Sequence, residues 1–373
     1  MQLIIAIIVA TFLYNYIQKL YRRMWDEKLN IDISFEDNCL EPGNESNIVE
    51  VINNDKFLPL PILHVKFATS KTFDYFDEEN AVITDRYYRN DVFSVMGNKK
   101  VTRRLKFIAT KRGFFTITGV NIIAKDFFIT RTFAKSIPNY SELYVFPGKI
   151  NTDYYEVMCN SIFGEIETKR SLFEDPFSFR GIREYNNNDS MSRINWRASA
   201  KTGQLMVNQY GHTAEYRVKL FLNLDTNYML KSYAVEELSI ELISSLAKTF
   251  LEKNVPVMVT GNGRDIVTEE LLNVDFGLAK NHLVTIDKGL ARIGKHDTNE
   301  EFLDILDKDV RLLDDSIAYV VVSAYCSEEL LLKLDYIASK GMSVTLIVPY
   351  YDVDGFLPKR GYIKGWEVKF DEV

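Results

Sequence analysis

Residues 175–201 read Asp175-Pro176-Phe177-Ser178-Phe179-Arg180-Gly181-Ile182-Arg183-Glu184-Tyr185-Asn186-Asn187-Asn188-Asp189-Ser190-Met191-Ser192-Arg193-Ile194-Asn195-Trp196-Arg197-Ala198-Ser199-Ala200-Lys201. Before this stretch the chain patterns as an apolar helix and antiparallel strands; after it, as alternating strands and helices. Arg180, Arg183, Arg193, Arg197 and Lys201 sit here with Glu184, Asp189, Tyr185 and Trp196. Arg180-Gly181 suits a tight turn, because Gly accepts positive φ. The asparagines before Asp189 suit a loop, since Asn bonds its own backbone and tolerates the left-handed region. Asp189 or Ser190 is then expected to cap a short helix reaching about Ala200. Met191, Ile194 and Ala198 would share one face of it, and Gly203 would end it. Leu205, Val207 and Gln209 alternate as a strand.

Two readings of this charge cluster stand. It is a binding surface of arginines and an indole, or a buried ion-pair network that clamps two domains. The second is favoured, because charges taken out of water must be paired and this stretch carries its own counter-ions.

The stretch resembles the signature of the bacterial "domain of unknown function 58" family. That signature runs Arg-Glu-Tyr, a loop ending in Gly-Asp, then Arg-x-Ile-Asn/Asp-Trp, Ala, Ser-Ala-Arg/Lys, Gly, Leu and Val. It is carried here by Arg183, Glu184, Tyr185, Asp189, Arg193, Ile194, Asn195, Trp196, Ala198, Ser199, Ala200, Lys201, Gly203, Leu205 and Val207. Asn188 stands where the family has Gly; both reach the left-handed region. The resemblance implies a membrane-anchored protein with a β-sandwich and a von Willebrand factor A-like domain. It also implies pairing with a MoxR-type AAA+ ATPase, and no established catalysis. Arg183, Glu184, Tyr185, Asp189, Arg193, Asn195, Trp196 and Lys201 are the candidate binding residues it marks.

Towards the N-terminus, residues 1–17 carry no charged side chain. At 1.5 Å per residue they reach roughly 25 Å, slightly short of a ~30 Å hydrocarbon core. Tyr14, Tyr16, Tyr21 and Trp25 suit an interface, and Lys19, Arg22 and Arg23 follow directly. A cleaved signal would carry basic residues before the apolar run and a small-residue site after it. Neither is present, so a single-pass anchor over residues 1–18 is expected, with the cations placing the rest in the cytoplasm. The family more often has two membrane segments. Residues 19–29 read as a basic juxtamembrane linker. Residues 30–150 alternate apolar and polar between Gly, Asn and Pro turns, which predicts an immunoglobulin-like antiparallel β-sandwich. Where the family usually has Asp-Pro-Phe-Gly, this chain has Asp126-Phe127-Phe128.

Residues 151–212 form the signature segment. From 213 to 352, Val218–Leu224, Val255–Val259, Ile317–Val322 and Val344–Val348 read as buried strands separated by helical stripes. That pattern predicts a mostly parallel sheet covered on both faces, the von Willebrand factor A-like domain. Residues 353–373 are a C-terminal tail. The fold class expected is therefore α+β multidomain: anchor helix, sandwich, then an α/β sheet.

Asp225 falls where such a domain holds a divalent cation through Asp-x-Ser-x-Ser. Here the run is Asp225-Thr226-Asn227-Tyr228-Met229, so Asn227 keeps an oxygen and Met229 offers none: a degenerate site with no metal and no cofactor expected. Gly289 to His296 imitates a phosphate loop but follows a helical run instead of opening one. His64, His212, His282 and His296 lack metal spacing. Cys39, Cys159 and Cys326 form no disulfide framework and fit a reducing compartment. With 46% apolar and 26% charged residues in 373, the chain is globular, and a net charge of −7 argues against nucleic acid. The expected function is a membrane-anchored, non-catalytic adaptor. The alternative is a metal-dependent hydrolase with Asp225, Asp189 and Glu184 as acids.

Overall fold

The computed structural model describes residues 2–77, 79–172, 179–186, 189–210, 216–225, 232–294, 301–311, 313–350 and 358–367. It is α+β and divides into two compact units, Met1–Gly148 and Lys149–Val373.

The first unit begins with helix α1 (Gln2–Met24), long and apolar enough to cross a membrane, with a mean hydropathy of 1.7. Residues 2–13 are exposed, whereas Gln18 and Tyr21 are buried. The helix expected over 1–18 therefore continues to Met24, into the segment 19–29 expected to be a linker. Residues 19–29 are anchored: the Tyr21 hydroxyl donates to the Pro59 carbonyl at 2.7 Å, and Trp25 stacks on Phe133 at 5.6 Å. Aromatic burial with a satisfied hydroxyl outweighs the basic composition that suggested a linker.

Ten strands follow: β1 (Leu29–Phe35), β2 (Cys39–Leu40), β3 (Glu45–Asn54), β4 (Leu60–Thr69), β5 (Phe73–Tyr75), β6 (Ala81–Ile83), β7 (Tyr87–Val95), β8 (Lys99–Ala109), β9 (Gly113–Lys125) and β10 (Thr132–Val145). They make a four-stranded sheet, β1-β3-β8-β5, and a six-stranded sheet, β2-β10-β9-β4-β7-β6. Pairing is antiparallel except for β2 with β10. Strict alternation drives the sandwich: in β3 every second residue is buried, from Ser46 to Asn54. Ile33, Ile48, Ile52, Leu63, Val65, Phe107 and Ile122 from both sheets share one core.

The second unit opens with α2 (Asp153–Leu172), a helix absent from the sequence expectation. Its signal was present: Tyr155, Met158, Cys159, Ile162, Phe163 and Ile166 recur at helical spacing, and all are buried in the main core. The signature segment then forms β11 (Phe179–Glu184), α3 (Trp196–Thr202) and β12 (Met206–Tyr210), with β11 and β12 an antiparallel pair.

The remainder is β13 (Arg217–Asn223), α4 (Ser232–Glu252), β14 (Val257–Arg264), β15 (Leu271–Gly277), α5 (Lys280–Ala291), α6 (Glu301–Val310), β16 (Ile317–Ser323), α7 (Glu328–Ser339), β17 (Val344–Tyr350) and β18 (Ile363–Glu367). The strands form one sheet in the order β15-β14-β13-β16-β17-β18, parallel except for β15. Successive side chains serve opposite faces: Leu220, Leu222, Val320 and Val322 join the core made with α2, α4 and α5. Phe221, Tyr319 and Val321 join that made with α6 and α7. Burial on both faces is why these strands read as unbroken apolar runs. The expected tail, 353–373, contains β18, which pairs with β17 and buries Trp366. Ile363-Lys364-Gly365-Trp366-Glu367 is too polar to read as a strand alone; it forms because β17 offers a free edge.

Candidate functional site

The signature segment folds around two polar side chains. The Arg183 guanidinium grips Asp189 through both nitrogens, each at 2.6 Å, and also donates to the Glu184 carbonyl at 3.0 Å. A third Asp189 bond is from the Asn186 amide at 2.8 Å. The paired Arg183, followed by that amide, holds the Asp189 carboxyl down to about 2. Asn195 is the other knot. Its Oδ1 accepts the Ala198 amide at 2.9 Å and its Nδ2 donates to Asn208 Oδ1 at 2.7 Å. Ser199 Oγ donates to the Asn195 carbonyl and accepts the Met206 amide. The helix therefore starts one turn later than expected. Asn195, not Asp189 or Ser190, caps α3, while Met191–Arg193 is an isolated 3-10 turn. Asp189 is committed to Arg183 and is lost as a cap. The expected shared face breaks accordingly: Ile194 is buried opposite Val207, but Met191 is exposed. Gly203 ends α3 as expected, at φ +76°.

These bonds of Arg183, Asp189 and Asn195 run inside residues 183–208. What they hold outward is apolar. Trp196 is 69% exposed and Met191 70%, and Phe179, Ile182 and Leu205 are exposed with them. Glu184, Arg197 and Lys201 are exposed, and Tyr185 and Arg193 half-buried. The binding-surface residues and the clamp residues are thus different members of one motif. Nothing is described of the Arg180 side chain.

At the carboxyl edge of the parallel sheet, where sites in such sheets form, β14, β13 and β16 lie side by side. Asp225 is buried there, as expected, but it faces an amide. Asn262 Nδ2 donates to Asp225 Oδ1 at 3.0 Å and to Asn223 Oδ1 at 3.0 Å. Asn262 Oδ1 accepts the Leu224 amide, and Asn223 Nδ2 donates to Ser323 Oγ at 2.9 Å. All four side chains are nearly inaccessible. The carboxamide supplies Asp225 Oδ1 with the positive end of a dipole. Asn227 lies outside the described residues. Among the described residues no group of three His, Cys, Asp or Glu is placed to hold a metal. Sequence reasoning missed Asn223, Asn262 and Ser323. The signal was Gly261-Asn262-Gly263 within a strand, where a Cβ on Gly261 would strike the Leu222 carbonyl.

Of the other candidates, His282 Nε2 is bonded to the Val257 carbonyl at 2.8 Å and His64 to Asn90 at 3.1 Å. His212 and His296 lie outside the described residues. Gly289 is inside α5, so the phosphate-loop imitation sits at a helix end. Cys39, Cys159 and Cys326 form no disulfide among the described residues; burial pushes the Cys326 thiol up to about 11. A cleft of about 310 Å³ is lined by Phe163, Glu167, Tyr216, Lys253, Val255 and Leu278. It lies at the amino ends of β13 and β14, opposite the edge where sites form.

No family model matches the chain, and no curated protein matches it. Solved structures resemble parts of it weakly. They include a type I cohesin–dockerin complex from Clostridium thermocellum, 9% identical over 31% of this chain and 99% of that one, at a TM-score of 0.22. A non-cellulosomal cohesin from Archaeoglobus fulgidus is 11% identical over 35% and 97%, at 0.21. A CARDB domain from Pyrococcus furiosus is 11% identical over 31% and 91%, at 0.20. Likenesses at these TM-scores carry no argument about function.

Proposed function

We propose that this chain is a membrane-tethered, non-catalytic adaptor of the domain-of-unknown-function-58 kind. Its second unit is a von Willebrand factor A-like domain that offers the signature segment to a protein partner, a MoxR-type AAA+ ATPase. The observation that carries this is the exposure of Trp196, Met191 and Ile182 within one short segment. A hairpin and a one-turn-plus helix, locked by Arg183–Asp189 and Asn195, hold large apolar side chains in water. Exposed aromatic anchors on a rigid base are what interfaces use. Arg197 and Lys201, at i and i+4 on α3, add a basic rim suited to an acidic partner. The hydrolase alternative would use Asp225 as an acid, and the bond that its Oδ1 accepts from the Asn262 amide weighs against that reading. Lys19, Arg22 and Arg23 directly after the apolar run of α1 support a cytoplasmic placement of both units.

The test is affinity purification of the full chain from native membranes, with Trp196→Ala as the comparison. The ATPase is expected with the parent and lost with the variant, at unchanged melting temperature. No ATPase with the parent, or equal recovery with the variant, would sink the proposal.

A further inference from the structure

The register of the sandwich gathers several turns at one end. Leu60 pairs with Val95, Ile62 with Lys125, and Asn54 with Lys99. The turns at 55–59, 96–98 and 126–131 therefore crown the same edge of the first unit. Helix α1 is bonded to that crown. The Gln18 amide donates to the Asp126 carboxylate and to Thr130 Oγ1, and Tyr21 donates to the Pro59 carbonyl.

The β9–β10 turn is apolar at its tip. Phe127 is 60% exposed, Phe128 41% and Ile129 56%; Phe57 and Met96, in the neighbouring turns, are exposed too. A turn facing water ordinarily holds Gly, Asn or Asp. Ile129 instead takes φ +58°, a left-handed conformation that β-branched residues rarely adopt. The tip is held firmly: buried Asp126 accepts the amides of Thr130 and Arg131 at 2.7 and 2.9 Å and the Thr130 hydroxyl at 2.9 Å. Phe128 packs on Tyr14 of α1 with ring centroids 5.2 Å apart, and the Tyr14 hydroxyl reaches Thr130 at 3.3 Å. Tyr14 lies five residues before Lys19, the first charge of the helix. At 1.5 Å per residue that is ~7 Å deeper along the axis. Interfacial apolar groups bury ~5–10 Å into the headgroup–acyl boundary. Lys19, Arg22, Arg23 and Arg131 are exposed around this level and suit anionic headgroups.

We propose that Phe127, Phe128 and Ile129 form a second lipid contact, inserted at the headgroup–acyl boundary of an anionic bilayer beside α1. The proposal rests on the reading of α1 as a membrane span. A lone helix lets its domain swivel; a helix and a wedge beside it fix the tilt of the first unit on the membrane.

The full chain, reconstituted in phosphatidylcholine–phosphatidylglycerol vesicles with bromines at shallow or deep acyl positions, tests this. Phe128→Trp, Phe127→Trp, Leu13→Trp and Tyr88→Trp are each compared with the parent, whose Trp25, Trp196 and Trp366 give a constant background. Tyr88 pairs with Ala68, eight residues along β4 from Leu60, so roughly 25 Å from the crown. The added signal of either tip variant should be blue-shifted and quenched more by shallow bromines than by deep ones. Leu13→Trp should be quenched and Tyr88→Trp should not. Quenching of Leu13→Trp with both tip variants untouched leaves the span and overturns the tip contact. No quenching of any variant overturns both. Quenching of the tip variants alone supports the contact and overturns the span. Equal quenching of Tyr88→Trp means general adsorption and overturns the contact.

Discussion

In the sandwich, Arg89 and Asp91 are fully buried and bonded at 2.7 Å, with Asp77 and Arg103 extending the network. At the strand ends of the second unit, Asn223, Asp225, Asn262 and Ser323 are equally buried, yet only Asp225 is a charged residue. The ionic cluster balances carboxylates with guanidinium groups, whose planar forks match them in pairs. In the amide cluster one carboxamide donates to Asp225 and Asn223 together. A buried polar site can therefore be closed by charge or by dipoles, and only the second way leaves a position that a cation could take over.

Breaking the ionic cluster has the largest expected effect. Arg89→Ala leaves buried Asp91 with Arg103 as its remaining cation, and chemical denaturation should show a loss of about 3 kcal/mol. Glu50 sharpens the same point. It is fully buried, finds no donor for either oxygen among the described residues, and faces Asp91. Burial first, then Asp91, pushes its carboxyl up to about 8, which favours its neutral form. A raised acid stabilises the fold below its ordinary value and loses that contribution as pH rises through about 8. Glu50→Gln keeps the neutral form. It should match the parent near pH 4 and exceed it near pH 9 by on the order of 3 kcal/mol, measured by melts across pH.

Asn262→Asp tests the amide cluster. Two carboxylates then share a buried site, which should cost about 2 kcal/mol, and added Mg²⁺ should recover part of it. Melts with and without Mg²⁺ check this; a variant as stable as the parent in chelator would mean the amide is idle. At the signature hairpin, Asp189→Asn removes the depressed acid. In the parent, its contribution is present above the ordinary carboxylate value and lost as pH falls through about 2. The variant should show faster amide exchange over residues 183–208 at neutral pH, with little global change. The smallest effect is at the β9–β10 tip: Ile129→Asn removes a strained β-branched residue, so stability should hold within about 1 kcal/mol while lipid contact weakens.

Much of the architecture was legible. The α1 run, the alternation of β3 and β4, and the apolar strands β13, β14, β16 and β17 each show a period that needs only neighbours to read. Gly203 was readable as a helix end for the same reason. The misses share a cause. Helix α3 begins at Asn195 because Asp189 is taken by Arg183, a competition invisible until the hairpin closes. Strands β15 and β18 are edge strands whose composition alone does not distinguish them from loop. Trp196 stood out by type, but its exposure follows from Ile194 and Val207 turning inward.

The linear order of residues by itself determined the period-two and helical stripes and the uncharged N-terminal run, because these are properties of adjacent side chains. Tertiary structure alone decided that Asn262 would meet Asp225, that Gln18 would meet Asp126, and that Arg183 would grip Asp189 while Trp196 faced water. Such meetings depend on sheet register and packing between distant segments, and a one-residue slip in either would send every partner to the other face.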